Sequence, residues 1–294
     1  MASALGHAPV PCDAVVAYGE HPDQVVDLYA PRGGEGPAPL VVLLHGGAWR
    51  APYDRGHVSP FAAHLAGYGF AVASVEYRRG QARSRPEPSG SVPRAGRWPE
   101  TLDDVALALD RIPELVGSGP CGRVDPARVV ITGHSAGGQL ALWAAARHRL
   151  PADSPWYRAS PPPVLGVVAL APIADFAAAR RLRVCSDAVV QFLGGPRHYA
   201  ARRPYADPAA LLPTGIATTI VQGATDADVP PEVALAFAEA AGKTGAQGEQ
   251  GGQGGQTRLV LLDGVGHFPL IDPVAPAART VAEEIGRLTR RATP

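Results

Sequence analysis

The chain has 294 residues, 46% hydrophobic and 18% charged, a composition that excludes global disorder and allows a sizeable core. Its 27 basic and 27 acidic residues cancel, which argues against nucleic acid or an anionic membrane surface as a partner. Three widely spaced cysteines, Cys12, Cys121 and Cys185, argue against a disulfide framework and fit a reducing, cytoplasmic setting.

From the N-terminus, residues 1–7 lack the basic and apolar regions of a secretory signal. Apolar runs predict strands over 14–18, 25–29, 40–44, 71–75, 129–132, 165–170, 218–221 and 258–262. Helical patterns fall over 57–66, 99–115, 139–147, 230–241 and 276–290. The alternation predicts an α/β fold, one domain over 1–294 with a mostly parallel sheet of about eight strands and helices on both faces. The first two strands have no helix between them and are expected to pair as an antiparallel edge hairpin. Residues 80–97, rich in Arg, Pro, Ser and Gly, read as a surface loop near the mouth of a site. The Gln/Gly tract over 245–256 reads as a mobile loop, and 176–213 as a small helical cap insertion. The longest apolar stretch, 164–171, is too short to span a bilayer.

Between the strand at 129–132 and the helix that follows lies Gly133-His134-Ser135-Ala136-Gly137. A serine at a strand-to-helix junction, with glycine two residues before and two after, is the G-x-S-x-G nucleophile elbow. The turn leaves no room for a Cβ at its flanks, and it presents the serine hydroxyl where the helix N-terminus points. A serine hydroxyl needs a base to take its proton and an acid to orient that base. In a parallel sheet these groups meet at the carboxyl ends of the strands. Asp226 follows the strand at 218–221, and His267 is the only histidine after the last predicted strand. Asp228 also follows that strand, but its place just before Pro230 suits a helix N-cap better. Ser135 is therefore the expected nucleophile, His267 the base and Asp226 the acid, in the chain order Ser, Asp, His.

The turn His45-Gly46-Gly47-Ala48-Trp49 directly follows the apolar strand 40–44. A glycine-rich turn there can aim backbone N–H groups at a developing oxyanion, with the amide of Ala136 as a further donor. Together with Gly133–Gly138, Gly223-x-x-Asp226-x-x-Val-Pro230 and Gly266-His267-Phe268, this turn resembles the α/β-hydrolase superfamily. The H-G-G-x-W form is similar to the branch holding kynurenine formamidases, hormone-sensitive-lipase-like esterases and acetyl-xylan/feruloyl esterase-like domains. Ala48 stands where the H-G-G-G form has glycine, which favours the formamidase-like side, and Gln139 stands where many relatives have histidine. The resemblance implies an α/β-hydrolase fold and an acyl-enzyme on Ser135. It also implies an oxyanion hole from Gly46, Gly47, Ala48 and Ala136, with His45 bracing the loop.

Trp49, Tyr53 and Tyr77 follow strand ends and are candidates to line the substrate pocket. Asp175 reads as a helix N-cap, Asp103 and Asp104 as surface charges, and Cys185 as a packing residue. His57 and His64 lack a third ligand at metal spacing, so no metal is expected, and the proposed chemistry needs no cofactor. The reading is a serine hydrolase acting on a small-molecule ester. An arylformamidase acting on an amide of the N-formylkynurenine type is the alternative, and a catalytically silent receptor a third. Substrate identity and oligomeric state are not legible in the chain.

Overall fold

The computed structural model describes residues 4–34, 36–80, 94–117, 121–122, 124–247 and 256–290. Most of the predicted 80–97 loop and of the Gln/Gly tract lies outside the described residues.

Eight strands form one sheet: β1 (Ala14–Ala17), β2 (Val25–Tyr29), β3 (Ala38–Leu44), β4 (Ala71–Val75), β5 (Val124–His134), β6 (Gly166–Leu170), β7 (Thr218–Gly223) and β8 (Thr257–Leu262). Their order across the sheet is β1-β2-β4-β3-β5-β6-β7-β8. The β1–β2 and β2–β4 pairings are antiparallel and all the others are parallel. The parallel strands are apolar on both faces, as strands covered on both sides must be. On β3, Leu40, Val42 and Leu44 enter one buried cluster while Val41 and Leu43 enter the other. The same alternation, with its period of two, continues through β5 and β6.

Helices α1 (Ser59–Gly67), α2 (Glu100–Gly117), α3 (Ala136–Ala145), α7 (Pro231–Gln247) and α8 (Pro276–Arg290) cover the sheet. Phe61 and Leu65 of α1 and Val281 and Ile285 of α8 pack on one face. Val105 and Ile112 of α2, Leu140 and Trp143 of α3, and Val233 and Phe237 of α7 pack on the other. Between β6 and β7 lie α4 (Phe176–Arg181), α5 (Val184–Phe192) and α6 (Tyr199–Arg202), followed by two 3-10 turns. This stretch is tied to α3: Gln139 Nε2 donates to the carbonyl of Ala206 and Trp143 Nε1 to that of Tyr205, each at 2.8 Å.

One expectation needs correction. Asp104 is not a surface charge: it is fully buried. Its carboxylate accepts from Gln24 Nε2 at 2.7 Å and from the backbone and side chain of Arg78 at 2.6–2.8 Å. Asp103 is also drawn inward, accepting from Trp156 Nε1 at 2.7 Å. Asp175 caps α4 as read, accepting from the amide of Ala178 at 2.8 Å.

Candidate active site

The elbow closes at the carboxyl end of β5. Ser135 has φ 57° and ψ −117°, a conformation in which an L-residue is strained, and its amide donates to the carbonyl of Leu170 at 2.8 Å. The flanking glycines are required by contact. A Cβ on Gly133 would lie 2.2 Å from the Gly137 carbonyl oxygen, and one on Gly137 would lie 2.0 Å from the oxygen of Leu44. Helix α3 begins immediately, at Ala136, so the amide after the nucleophile candidate belongs to a helix's first turn, where intrahelical acceptors are lacking.

Asp226 and His267 meet at the ends of β7 and β8. Nδ1 of His267 and Oδ2 of Asp226 are 2.7 Å apart, with both side chains almost wholly buried. The other carboxylate oxygen, Oδ1, accepts the amides of Asp228 and Val229 at 2.9 Å each, and Gln222 Nε2 donates to Oδ2 at 3.1 Å. The carboxylate is thus fixed on four sides and aimed at the imidazole. Asp228 contributes its amide to this arrangement, while its half-buried side chain lies outside it.

His134, the residue before Ser135, is a functional candidate that the sequence pattern gave no reason to single out. Its Nε2 lies 3.0 Å from the carbonyl oxygen of His267, and the two rings are 4.3 Å apart. Burial, reinforced by the neighbouring His267, holds His134 well below the ordinary histidine range, so its ring is neutral and donates through Nε2–H.

The loop after β3 lies against the elbow. A Cβ on Gly46 would stand 2.9 Å from the carbonyl oxygen of His134 and 3.4 Å from Cβ of Ser135. Gly47 (φ +99°), Ala48 (φ 52°) and Trp49 (φ 55°) continue in the left-handed region. The loop is braced from below. His45 Nε2 lies 3.0 Å from Oε1 of Glu76, and His45 Nδ1 lies 2.9 Å from the carbonyl oxygen of Gly46. Burial alone would raise Glu76, but His45, Arg79 and the Tyr77 amide outweigh it and hold the carboxyl down to about 2.

A family model, BD-FAE, matches residues 26–240, a span that includes the elbow, the loop after β3 and Asp226. The chain belongs to the BD-FAE family. This BD-FAE protein is 31% identical over 145 residues to a Mycobacterium tuberculosis protein named probable carboxylic ester hydrolase LipM, covering 48% of this chain and 29% of the relative. It is 29% identical over 126 residues to an Arabidopsis thaliana protein named probable isoprenylcysteine alpha-carbonyl methylesterase ICMEL1, covering 43% of this chain and 23% of the relative. The chain therefore matches less than a third of the length of these curated relatives. A truncated carbohydrate esterase from gut microbiota superposes with a TM-score of 0.73 at 17% identity, covering 97% of this chain and 100% of that one. Esterase B from Lactobacillus rhamnosis gives 0.73 at 18%, covering 98% and 90%. The shared fold is that of the α/β-hydrolases.

In this BD-FAE chain the three aromatic candidates occupy different places. Trp49 is fully buried, stacked on Phe192 at 4.5 Å and edge-on to Phe176 at 6.3 Å. Tyr53 is 40% exposed and stands over Gly47, where an added Cβ would lie 2.2 Å from its own Cβ. Tyr77 is fully buried, stacked on His45 at 4.2 Å, with its hydroxyl donating to the His45 carbonyl at 2.7 Å. The expected pocket-lining role for Tyr77 does not fit that position, because its ring faces the underside of the loop and its hydroxyl is already committed. Cys185 is half-buried, its thiol pushed up to about 11 by burial, as suits a packing residue. Among the described residues no cluster of three or more metal-ligating side chains occurs, and no helix is long and apolar enough to cross a membrane.

Proposed function

We propose that this protein is a serine ester hydrolase working through an acyl-enzyme on Ser135. The observation that carries the reading is the 2.7 Å contact between His267 Nδ1 and a carboxylate of Asp226 whose every oxygen is already oriented. An Nδ1–H held in this way leaves the Nε2 lone pair of His267 as the base. His267 takes the proton of Ser135, whose oxygen attacks the ester carbonyl. The tetrahedral oxyanion is held by the amides of Gly47, Ala48 and Ala136, with Gly46 shaping the turn or donating in turn. The alcohol leaves with the proton from His267. Water activated by the same ring then releases the carboxylic acid. Esterase-named relatives support an ester over an amide as substrate.

The chain works as one α/β-hydrolase domain in this reading, with residues 176–213 as a small cap held to α3 through Gln139 and Trp143. Tyr53 is its substrate-side aromatic, while the expected pocket-lining role for Trp49 does not fit a ring that is fully buried against Phe192 and Phe176. Three unpaired cysteines support a cytoplasmic setting.

The test is hydrolysis of p-nitrophenyl acetate, butyrate and octanoate, and of N-formylkynurenine, by the wild type and Ser135→Ala. Turnover of the esters that Ser135→Ala abolishes is expected. Stronger Ser135-dependent turnover of N-formylkynurenine would replace the ester reading with the formamidase one, and ester turnover that survives in Ser135→Ala would overturn the mechanism.

A further inference from the structure

A cleft of about 370 Å³ opens between the segment leading into α2 and the corner that joins α5 to α6. Arg97, Trp98, His198 and Arg202 line it, and Glu100 is its one carboxylate among the described residues. Elsewhere in this charge-balanced chain arginines meet acids directly, as in Arg78 with Asp104, Arg147 with Asp110 and Arg203 with Asp207. In the cleft Glu100 is already engaged by Nε of Arg97 at 3.2 Å, which leaves Arg202 without an acid among the described residues.

Arg202 forms no ion pair among the described residues, yet its guanidinium is held in place. Nη1 donates to the carbonyl of Leu193 at 3.0 Å, and the guanidinium carbon sits 4.9 Å from the centre of the Trp98 ring. Trp98 in turn rests edge-on against Trp156 at 5.3 Å. Gly194, at φ +86°, makes the space, since a Cβ there would lie 2.3 Å from Nη1. Burial lowers the guanidinium from its ordinary value, and no acid among the described residues offsets that cost. A fixed, partly desolvated guanidinium that lacks a counter-charge is the group an oxyanion would complete.

We propose that this cleft binds an oxyanion, a carboxylate or phosphate group, anchored by Arg202 and flanked by Arg97 and His198. Its wall is shared with the hydrolytic site. The amides of Gly80 and Gly96, both cleft residues, donate to the carbonyl of Trp49 at 2.9 and 2.8 Å. Phe192, stacked on Trp49, packs against Gly96 so closely that a Cβ there would lie 2.4 Å from its ring. The anion is either part of the ester substrate or a separate small molecule, and both present the same chemistry to the cleft.

Heat-denaturation midpoints in inorganic phosphate and in citrate, at ionic strength matched with sodium chloride, test the site. A saturable rise is expected for the wild type and none for Arg202→Met, which keeps the apolar stem over Trp98. His198→Glu changes an exposed position and places a carboxylate in the cleft, so about tenfold weaker apparent binding is expected even where Arg202→Met fails to fold. A rise that sodium chloride reproduces, or that both variants retain, overturns the proposal. This measurement needs no turnover, so its failure is separate from failure of the ester-hydrolase reading, on which only the next arm rests. Comparing p-nitrophenyl butyrate with mono-p-nitrophenyl succinate distinguishes the sources. A loss in kcat/KM of about tenfold confined to the succinate in His198→Glu assigns the cleft to the substrate's own anion. A lost phosphate response with both esters unaffected assigns it to a separate anion.

Discussion

Nε2 of His134 donates to the main-chain oxygen of His267 at 3.0 Å, so the residue that precedes the nucleophile candidate also holds the backbone of the base candidate. Ser135 and His267 are thereby referred to the same rigid end of β5. His134→Leu would leave a buried carbonyl without its donor, at a cost of about 1–3 kcal/mol, and free the loop to shift. The predicted outcome is a fall in kcat with little change in KM, partly rescued by His134→Gln, whose amide can donate. Unchanged kcat and melting temperature in His134→Leu would remove His134 from the machinery.

The choice between the two acids after β7 is one that a single substitution can test. Asp226→Asn keeps the shape but replaces a carboxylate facing Nδ1 of His267 with an amide, favouring the wrong tautomer. A loss in kcat on the order of 10⁴ is predicted. Asp228→Asn leaves intact the backbone amide that Asp228 gives to Asp226, and is predicted to change kcat by no more than a factor of a few. Steady-state kinetics of both variants on one p-nitrophenyl ester suffice, and the reverse ranking would exchange the two roles.

Sheet and elbow were legible because their signals are local. A strand covered on both faces is a run of apolar residues, and the β2 and β4 bounds read from such runs agree with the structure. The extra length of β5 was not legible, since Asp125 carries no strand signal and enters through pairing with Pro39 of β3, and Pro126 lies in the irregularity before pairing resumes at Val129. The start of α3 at Ala136 rather than Gln139 was hidden by Gly137 and Gly138, poor helix formers that the tight packing of the elbow demands. Asp104 and His134 were missed for another reason. Their partners, Gln24 and Arg78 in one case and the His267 carbonyl in the other, are distant in sequence, and no periodicity reports such contacts.

The loop after β3 is predicted to tolerate no side chain at Gly47. Its φ of +99° is hostile to an L-residue, and a Cβ would strike Tyr53. Gly47→Ala should tilt the neighbouring amides away from the oxyanion and reduce kcat by about 10²–10³ if one donor is lost. A transition-state analogue such as a trifluoromethyl ketone should lose affinity in parallel, while substrate KM moves little. Retained affinity for the analogue would place the oxyanion donors elsewhere.

Asp104 joins β1–β2, β4 and α2 through buried charge-assisted bonds. Asp104→Ala strands Arg78 and Gln24 together and is predicted to destabilise the fold by about 3–5 kcal/mol, the usual result of removing one partner of a buried pair. Denaturant unfolding measures it, and kcat per folded molecule should be unchanged. A variant as stable as the wild type would mean that Arg78 finds another acceptor.

Stability should fall with acid earlier than carboxylate titration alone would bring. Burial, helped by His45, holds His57 down to about 4 from 6.5, and burial holds His134 well below the same value. Both rings are therefore neutral in the folded protein at pH values where the unfolded chain binds protons. Their contribution is complete above pH 6.5 and is lost progressively as pH falls toward 4. Glu76 acts with the same sign but later: with a folded value of about 2 against 4.5, its contribution is present above pH 4.5 and lost as pH falls through about 2. The melting temperature is thus predicted to drop between pH 7 and pH 5, before Glu76 titrates. His57→Gln, which cannot take up a proton, should flatten that part of the profile, whatever it does to stability at pH 7. A wild-type melting temperature that stays level from pH 7 to pH 5 would show that the unfolded chain gains no protons over the folded one in this range, and that His57 and His134 titrate normally.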